Sequence, residues 1–107
     1  MTSVETKLAA PITAHMAELV ELCRRFHVQK LELFGSGVTP DWDKTHSDLD
    51  FLVTFKAKAK AFRNFMGLYH NLEDLFHRRI DLLTVEQLRK PGLIDNINKQ
   101  RVTIYAA

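Results

Sequence analysis

Asp48 to Phe55 alternate without interruption, with Asp48, Asp50, Leu52 and Thr54 on one side and Leu49, Phe51, Val53 and Phe55 on the other. Successive side chains of an extended chain point to opposite faces. This period of two therefore requires a strand with one apolar face to bury and one face that carries two carboxylates. A lone strand buries nothing, and the rest of the sequence supplies its neighbours. Leu31 to Phe34 is a short apolar run stopped by Gly35-Ser36-Gly37, and Arg79 to Thr84 sets Ile80, Leu82 and Leu83 around Asp81. Both runs are too short for helices and are bounded by polar or turn-forming residues, so both read as strands. Val102 to Tyr105 suggests a terminal strand.

From Ile12 the apolar residues Met16, Leu19, Val20, Cys23 and Phe26 recur at steps of three and four, while Glu18, Glu21, Arg24 and Arg25 fill the opposite side. That spacing predicts an amphipathic helix ending near His27. Ahead of it, Thr2 and Glu5 have the spacing of a capping box, and Pro11 suits a first helical turn better than a helix middle, so that one helix or two start here. A second stripe, Phe62, Phe65, Met66, Tyr69, Leu72 and Phe76, predicts a helix from about Ala61 to His77 whose aromatic side packs on the sheet. Val38 to Ser47 contains Pro40 and no apolar period, and reads as a loop with Trp42 as its one large apolar residue. Short helical turns are expected at Val85 to Leu88 and Leu93 to Ile97, on either side of Pro91-Gly92.

The order helix, strand, loop, strand, helix, strand predicts an α/β fold, a small mixed β-sheet with helices packed on it. About two dozen residues containing a helix join the strand at 48–55 to that at 79–84. This is enough for a right-handed crossover that makes the two parallel neighbours. The strand at 31–34 returns most simply as an antiparallel neighbour of 48–55. Asp48, Asp50, Asp81 and the Gly35-Ser36 turn then collect at one end of the sheet.

The 107 residues, 46% of them hydrophobic, suffice for one domain spanning 1–107 and not for two cores. Fifteen Lys and Arg against thirteen Asp and Glu leave a net charge of +2, which neither marks a nucleic-acid binder nor excludes an anionic ligand. Cys23 has no second cysteine to pair with, and the sequence has neither an apolar leader nor an apolar run of about 18 residues. A cytoplasmic protein away from membranes is expected.

Aspartates at i and i+2 on a strand point the same way with Cα atoms roughly 6.5 Å apart. Magnesium, a hard cation, binds through one or two carboxylates plus the phosphate oxygens of a nucleotide, and Asp81 would complete such a site. In two-metal nucleotidyl transfer one ion activates the attacking hydroxyl and the other neutralises the leaving pyrophosphate. Gly35 and Ser36 at a strand end bring backbone N–H groups and a hydroxyl to phosphate without a Cβ in the way. Each feature alone has an ordinary reading: an Asp-x-Asp strand is commonly an exposed face over a buried one, and Gly-Ser-Gly commonly only a turn. An acid inside an apolar strand is costly to bury unpaired, so Asp81 either faces the same cleft or pairs with Arg78 or Arg79. The convergence of all these elements favours the metal site.

Other features have plainer readings. Lys56, Lys58 and Lys60 form a solvated surface, His70 and His77 sit on a helix surface, and Cys23 is a small core residue. The aromatic stripe is core packing, and Trp42 serves equally as a stacking platform or a loop anchor.

Leu33-Phe34-Gly35-Ser36, eleven intervening residues, then Asp48-Leu49-Asp50-Phe51-Leu52-Val53 resemble the minimal nucleotidyltransferases of the DNA polymerase β superfamily. Ile80-Asp81-Leu82-Leu83 resembles the later strand that carries that family's third acid. The resemblance runs from about residue 13 to residue 105. It implies a nucleotidyltransferase, polymerase β palm-like fold, with Gly35 and Ser36 on the nucleotide phosphates and Asp48 and Asp50 holding two magnesium ions. Asp81 takes the third-ligand or base role, and a nucleoside monophosphate passes from ATP or another NTP to an acceptor hydroxyl. Stand-alone members of this size are similar to antitoxins encoded beside helical HEPN ribonuclease toxins, some of which add AMP to a tyrosine of the toxin. The resemblance thus implies a HEPN-like toxin as partner and a protein hydroxyl as acceptor. Nucleic acid is not expected as the direct substrate, since 107 residues leave no obvious template or primer domain, and self-association is left open.

One motif departs from the family, which follows Gly-Ser with a residue, Ala, Arg and Gly where this chain has Gly37-Val38-Thr39-Pro40. The phosphate-facing arginine is absent. Its loss removes on the order of 1.5 to 3 kcal/mol of phosphate binding unless Lys44 or a partner's cation replaces it. The rival expectation is therefore a module of the same fold that neutralises its partner by occlusion, without chemistry.

Overall fold

The computed structural model describes residues 10–34, 49–56, 60–85, 87 and 101–107. Within them the chain runs α1 (Ala10–Ala14), α2 (Met16–Arg25), β1 (Val28–Phe34), β2 (Leu49–Phe55), α3 (Ala61–Phe76), β3 (Ile80–Thr84) and β4 (Val102–Ala106). The strands form a mixed sheet of order β3-β2-β1-β4, in which β1 is antiparallel to both β2 and β4 and β2 is parallel to β3. The predicted α/β class, the parallel pair across α3 and the antiparallel return of β1 into β2 are all present.

The apolar alternation of β2 puts Leu49, Phe51 and Val53 on the helix-covered face, where they are fully buried. They join Leu31 and Leu33 of β1, Ile80 and Leu82 of β3, Leu19, Leu22 and Cys23 of α2, and Leu68, Leu72 and Phe76 of α3 in one core. Phe51 and Phe76 stack with ring centroids 6.1 Å apart. Full burial of a Leu, Ile or Phe side chain is worth roughly 1.5–3 kcal/mol, which is what holds α2 and α3 against the sheet. The two helices approach closely because residue 67 is glycine: a Cβ there would run into the Phe26 ring, with Cζ 2.9 Å away.

The predicted first helix is interrupted. His15 leaves the helical region at φ −119°, ψ 25°, and its ring meets Phe76 edge-on with centroids 5.7 Å apart. At the far end of α2, His27 adopts a left-handed φ of 59°, which turns the chain at once into β1. β1 therefore starts at Val28, three residues before the apolar run, where Val28 pairs with Phe55 of β2. His77, at φ 53°, closes α3 in the same way, its N–H donating to the Glu73 carbonyl at 2.8 Å.

Two readings of faces are corrected. Phe62, assigned to the core stripe, is 80% exposed, because it lies in the first turn of α3 ahead of the residues that reach the sheet. Leu52, on the carboxylate side of β2, is fully buried, so that side is not uniformly solvated. Cys23 is fully buried, Lys56, Lys60, His70 and His77 are exposed, and Val85 and Gln87 begin the turn after β3. The Thr2–Glu5 capping box, Gly35, Ser36, Trp42, Lys44, Asp48, Lys58 and the turn at Leu93 to Ile97 lie outside the described residues.

Candidate functional site

The sheet register assembles the site row by row. Phe34 pairs with Asp50 across β1 and β2, and Asp50 pairs with Asp81 across β2 and β3. Residues directly opposite in a ladder share a face, so Asp50 and Asp81 lie side by side on the face turned away from α2 and α3. Adjacent strands put their Cα atoms about 4.8 Å apart. The row stands at the end of β1 and the start of β2 and β3, and Gly35-Ser36 continues the chain directly from Phe34. Asp48 precedes Asp50 by two positions in the sequence.

Like charges facing each other directly across a ladder destabilise a sheet. Asp81 has partial relief from Arg79, whose Nε lies 3.8 Å from Oδ1, but that arginine is 75% exposed and the pair is worth little in water. The Asp81 side chain is 46% exposed and Asp50 is half-buried. Two carboxylates paired on neighbouring strands and lining one cavity suit a hard divalent cation of the magnesium kind. Among the described residues no group of three His, Cys, Asp or Glu side chains forms a metal cluster; the described part of the expected site is the Asp50–Asp81 pair.

A cavity of about 460 Å³ opens onto this pair, lined by Phe34, Asp50, Asp81 and Leu83 together with Ile80 and Leu82 from the other face of β3 and Phe65, Met66 and Tyr69 of α3. Lining residues from both faces of β3 mean that the cavity wraps the outer edge of that strand. Its wall is apolar and aromatic while its charged groups are the two aspartates. The Tyr69 hydroxyl is held above its ordinary pKa by its hydrogen bond to Glu73, with burial and the charges of Glu73 and Asp81 acting the same way and Arg79 opposing them. It therefore stays a neutral phenol beside the carboxylates.

One row further from the sheet end, Glu32 of β1 faces Leu52 and Thr103. Glu32 is only 4% exposed, and its Oε2 accepts a hydrogen bond of 2.7 Å from Nε of Arg101, with Nζ of Lys30 at 3.6 Å. A buried carboxylate without cations would be strongly unfavourable, and this one has two. The sequence reading singled out neither Glu32 nor Arg101. They are 69 residues apart, and nothing in local composition indicates that β4 lies against β1.

The sequence matches the nucleotidyltransferase domain family over residues 17–104. No curated protein sequence is significantly similar to it. Among solved structures, a protein described as a minimal nucleotidyltransferase superposes with a TM-score of 0.64 at 26% identity, over 85% of this chain and 90% of that one. A chain from the complex of a tri-AMPylated Shewanella oneidensis HEPN toxin with an MNT antitoxin superposes with a TM-score of 0.62 at 18% identity, over 89% of this chain and 72% of that one. A toxin–antitoxin structure with AMP-PNP gives a TM-score of 0.61 at 18% identity, over 86% and 73% of the two chains. At such identities the last two establish likeness of fold.

Proposed function

This chain belongs to the nucleotidyltransferase domain family, and from that premise we propose that it transfers a nucleoside monophosphate, AMP foremost, from an NTP to a hydroxyl of a partner protein. The observation that carries the reading is the in-register pair of aspartates, Asp50 and Asp81, in the row of Phe34, which Gly35-Ser36 follows in the sequence. Asp48, Asp50 and Asp81 would hold magnesium, and Gly35, Ser36 and Lys44 would receive the phosphate chain. When bound, the metal ions neutralise phosphate charge and make the acceptor hydroxyl more acidic.

In the transfer itself the acceptor oxygen forms a bond to the α-phosphorus as the α–β anhydride bond breaks, and pyrophosphate leaves. The acceptor proton passes to the carboxylate face, where Asp81, 46% exposed, is accessible. The apolar wall of Phe65, Met66 and Tyr69 suits an approaching protein side chain better than a polyanionic nucleic acid.

The partner in this reading is a HEPN-type toxin, for which the chain would be the antitoxin. Support comes from the fold shared with chains of such complexes, in one of which the toxin is tri-AMPylated. The occlusion reading draws on Thr39, which stands where the family has arginine.

The test is incubation with α-labelled ATP, magnesium and the protein encoded beside this gene. Label should appear on that protein and vanish with Asp48→Ala. Label that persists in the variant, or none with any NTP, overturns the proposal. In the second case, toxin neutralisation by Asp50→Asn in cells would establish occlusion.

A further inference from the structure

We propose that Arg101, which immediately precedes β4, is the cation that receives the β- and γ-phosphates of the nucleotide; this rests on the nucleotidyltransferase reading above. The register makes the case. Val102 of β4 pairs with Leu33 of β1, so one step further toward the sheet end Arg101 comes level with Phe34. Phe34 is paired to Asp50, and Asp50 to Asp81. A single row across the sheet end therefore reads Arg101, Phe34, Asp50, Asp81.

All four belong to one face. Thr103 lies opposite Glu32, and Arg101, two residues before it, shares its side. The Nε contact of Arg101 with Glu32 requires that same side, so the ion pair and the ladder agree. Arg101 stands two strand spacings, about 9.5 Å, from Asp50, with the strand that runs into Gly35-Ser36 between them. The face is thus divided: the aspartates stand on β2 and β3, while on the β1 side the covered Glu32 carboxylate is met by the Arg101 guanidinium and the Lys30 ammonium.

A metal-bound triphosphate has the matching division. With its reacting α-phosphate beside the carboxylates, its β- and γ-phosphates would come within reach of Arg101. Glu32 supplies orientation: it is buried, and its 2.7 Å contact engages Nε. A guanidinium has five N–H donors in a fixed plane, so an anchor through Nε sets the direction of the whole fork. The side chain of Arg101 is 31% exposed, which leaves it within reach of a ligand while Glu32, at 5%, stays covered.

The experiment measures binding of ATP, AMP and inorganic tripolyphosphate, each with magnesium, to the full chain and its variants. Arg101→Gln should weaken ATP and tripolyphosphate about 10- to 100-fold and leave AMP unchanged. That single change leaves Glu32 buried with less compensation, so the double variant Glu32→Gln with Arg101→Gln, which removes both charges, is measured beside it. It should show the same loss for ATP with AMP retained. ATP affinity within twofold of wild type in the folded double variant, or parallel loss of ATP and AMP, overturns the assignment and leaves Arg101 a structural partner of Glu32. Wild-type protein that binds no ATP at all overturns the nucleotidyltransferase reading itself, and this inference with it.

Discussion

Asp81→Asn should stabilise the metal-free protein while removing its function. Asp50 and Asp81 face each other across β2 and β3, with Cα atoms about 4.8 Å apart. Two unit charges near 4–5 Å repel by about 1 kcal/mol in water and more at a partly shielded surface. Asp81 is 46% exposed, so the lower figure applies, and the Arg79 contact at 3.8 Å, also exposed, returns a few tenths of a kcal/mol that the variant forfeits. The net expectation is a gain of about 0.5 kcal/mol. For a domain of this size that raises Tm by about 2–4 °C.

The assay is thermal unfolding at low ionic strength in chelator, repeated with magnesium. Wild type should gain stability from 10 mM magnesium, about 1.4 kcal/mol if Kd is near 1 mM, whereas Asp81→Asn should gain little. The advantage of the variant in chelator should also shrink as salt is added. A variant that melts below wild type in chelator, or that responds to magnesium as wild type does, would show that the two facing carboxylates neither repel nor share a metal.

Two further outcomes test the fold that holds the row in place. Gly67→Ala would gain helix propensity elsewhere, but here its methyl meets the Phe26 ring, so denaturant unfolding should show a loss of about 1–3 kcal/mol, relieved in combination with Phe26→Leu. Burial pushes the Cys23 thiol from 9.0 up to about 12. The native protein keeps that proton where the unfolded chain loses it, so stability is full below pH 9 and declines above it, by on the order of 1 kcal/mol between pH 9 and 10. The stability difference between wild type and Cys23→Ala, compared at pH 8 and pH 10, should narrow by that amount; a difference independent of pH would contradict it.

Much of this arrangement is legible in the amino-acid order, because period two and period 3.6 are consequences of backbone geometry. The alternation from Asp48 to Phe55 identifies β2 and its buried face, and the helix between β2 and β3 implies their parallel pairing, which in turn brings Asp50 beside Asp81. What local pattern does not carry is cross-strand partnership at long range. Nothing near Arg101 says that β4 will lie on β1, so the contact with Glu32 becomes visible only once register is known. Exposure within a periodic stripe is similarly decided by helix placement: Phe62 fits the spacing of α3 yet lies ahead of the residues that reach the sheet. Pro11 leaves room for two helices, but the position of the break at His15 has no signal in a sequence whose apolar period runs through it.

In the proposed function Asp50 and Asp81 jointly hold the metal that carries the nucleotide. A crystal of the protein grown with manganese and a non-hydrolysable ATP analogue, read by anomalous scattering, tests it most directly. A manganese peak is expected with an oxygen of each aspartate at about 2.1 Å and the phosphate chain running toward Arg101. Manganese bound elsewhere, or a nucleotide seated with Asp81 turned away from it, would contradict it.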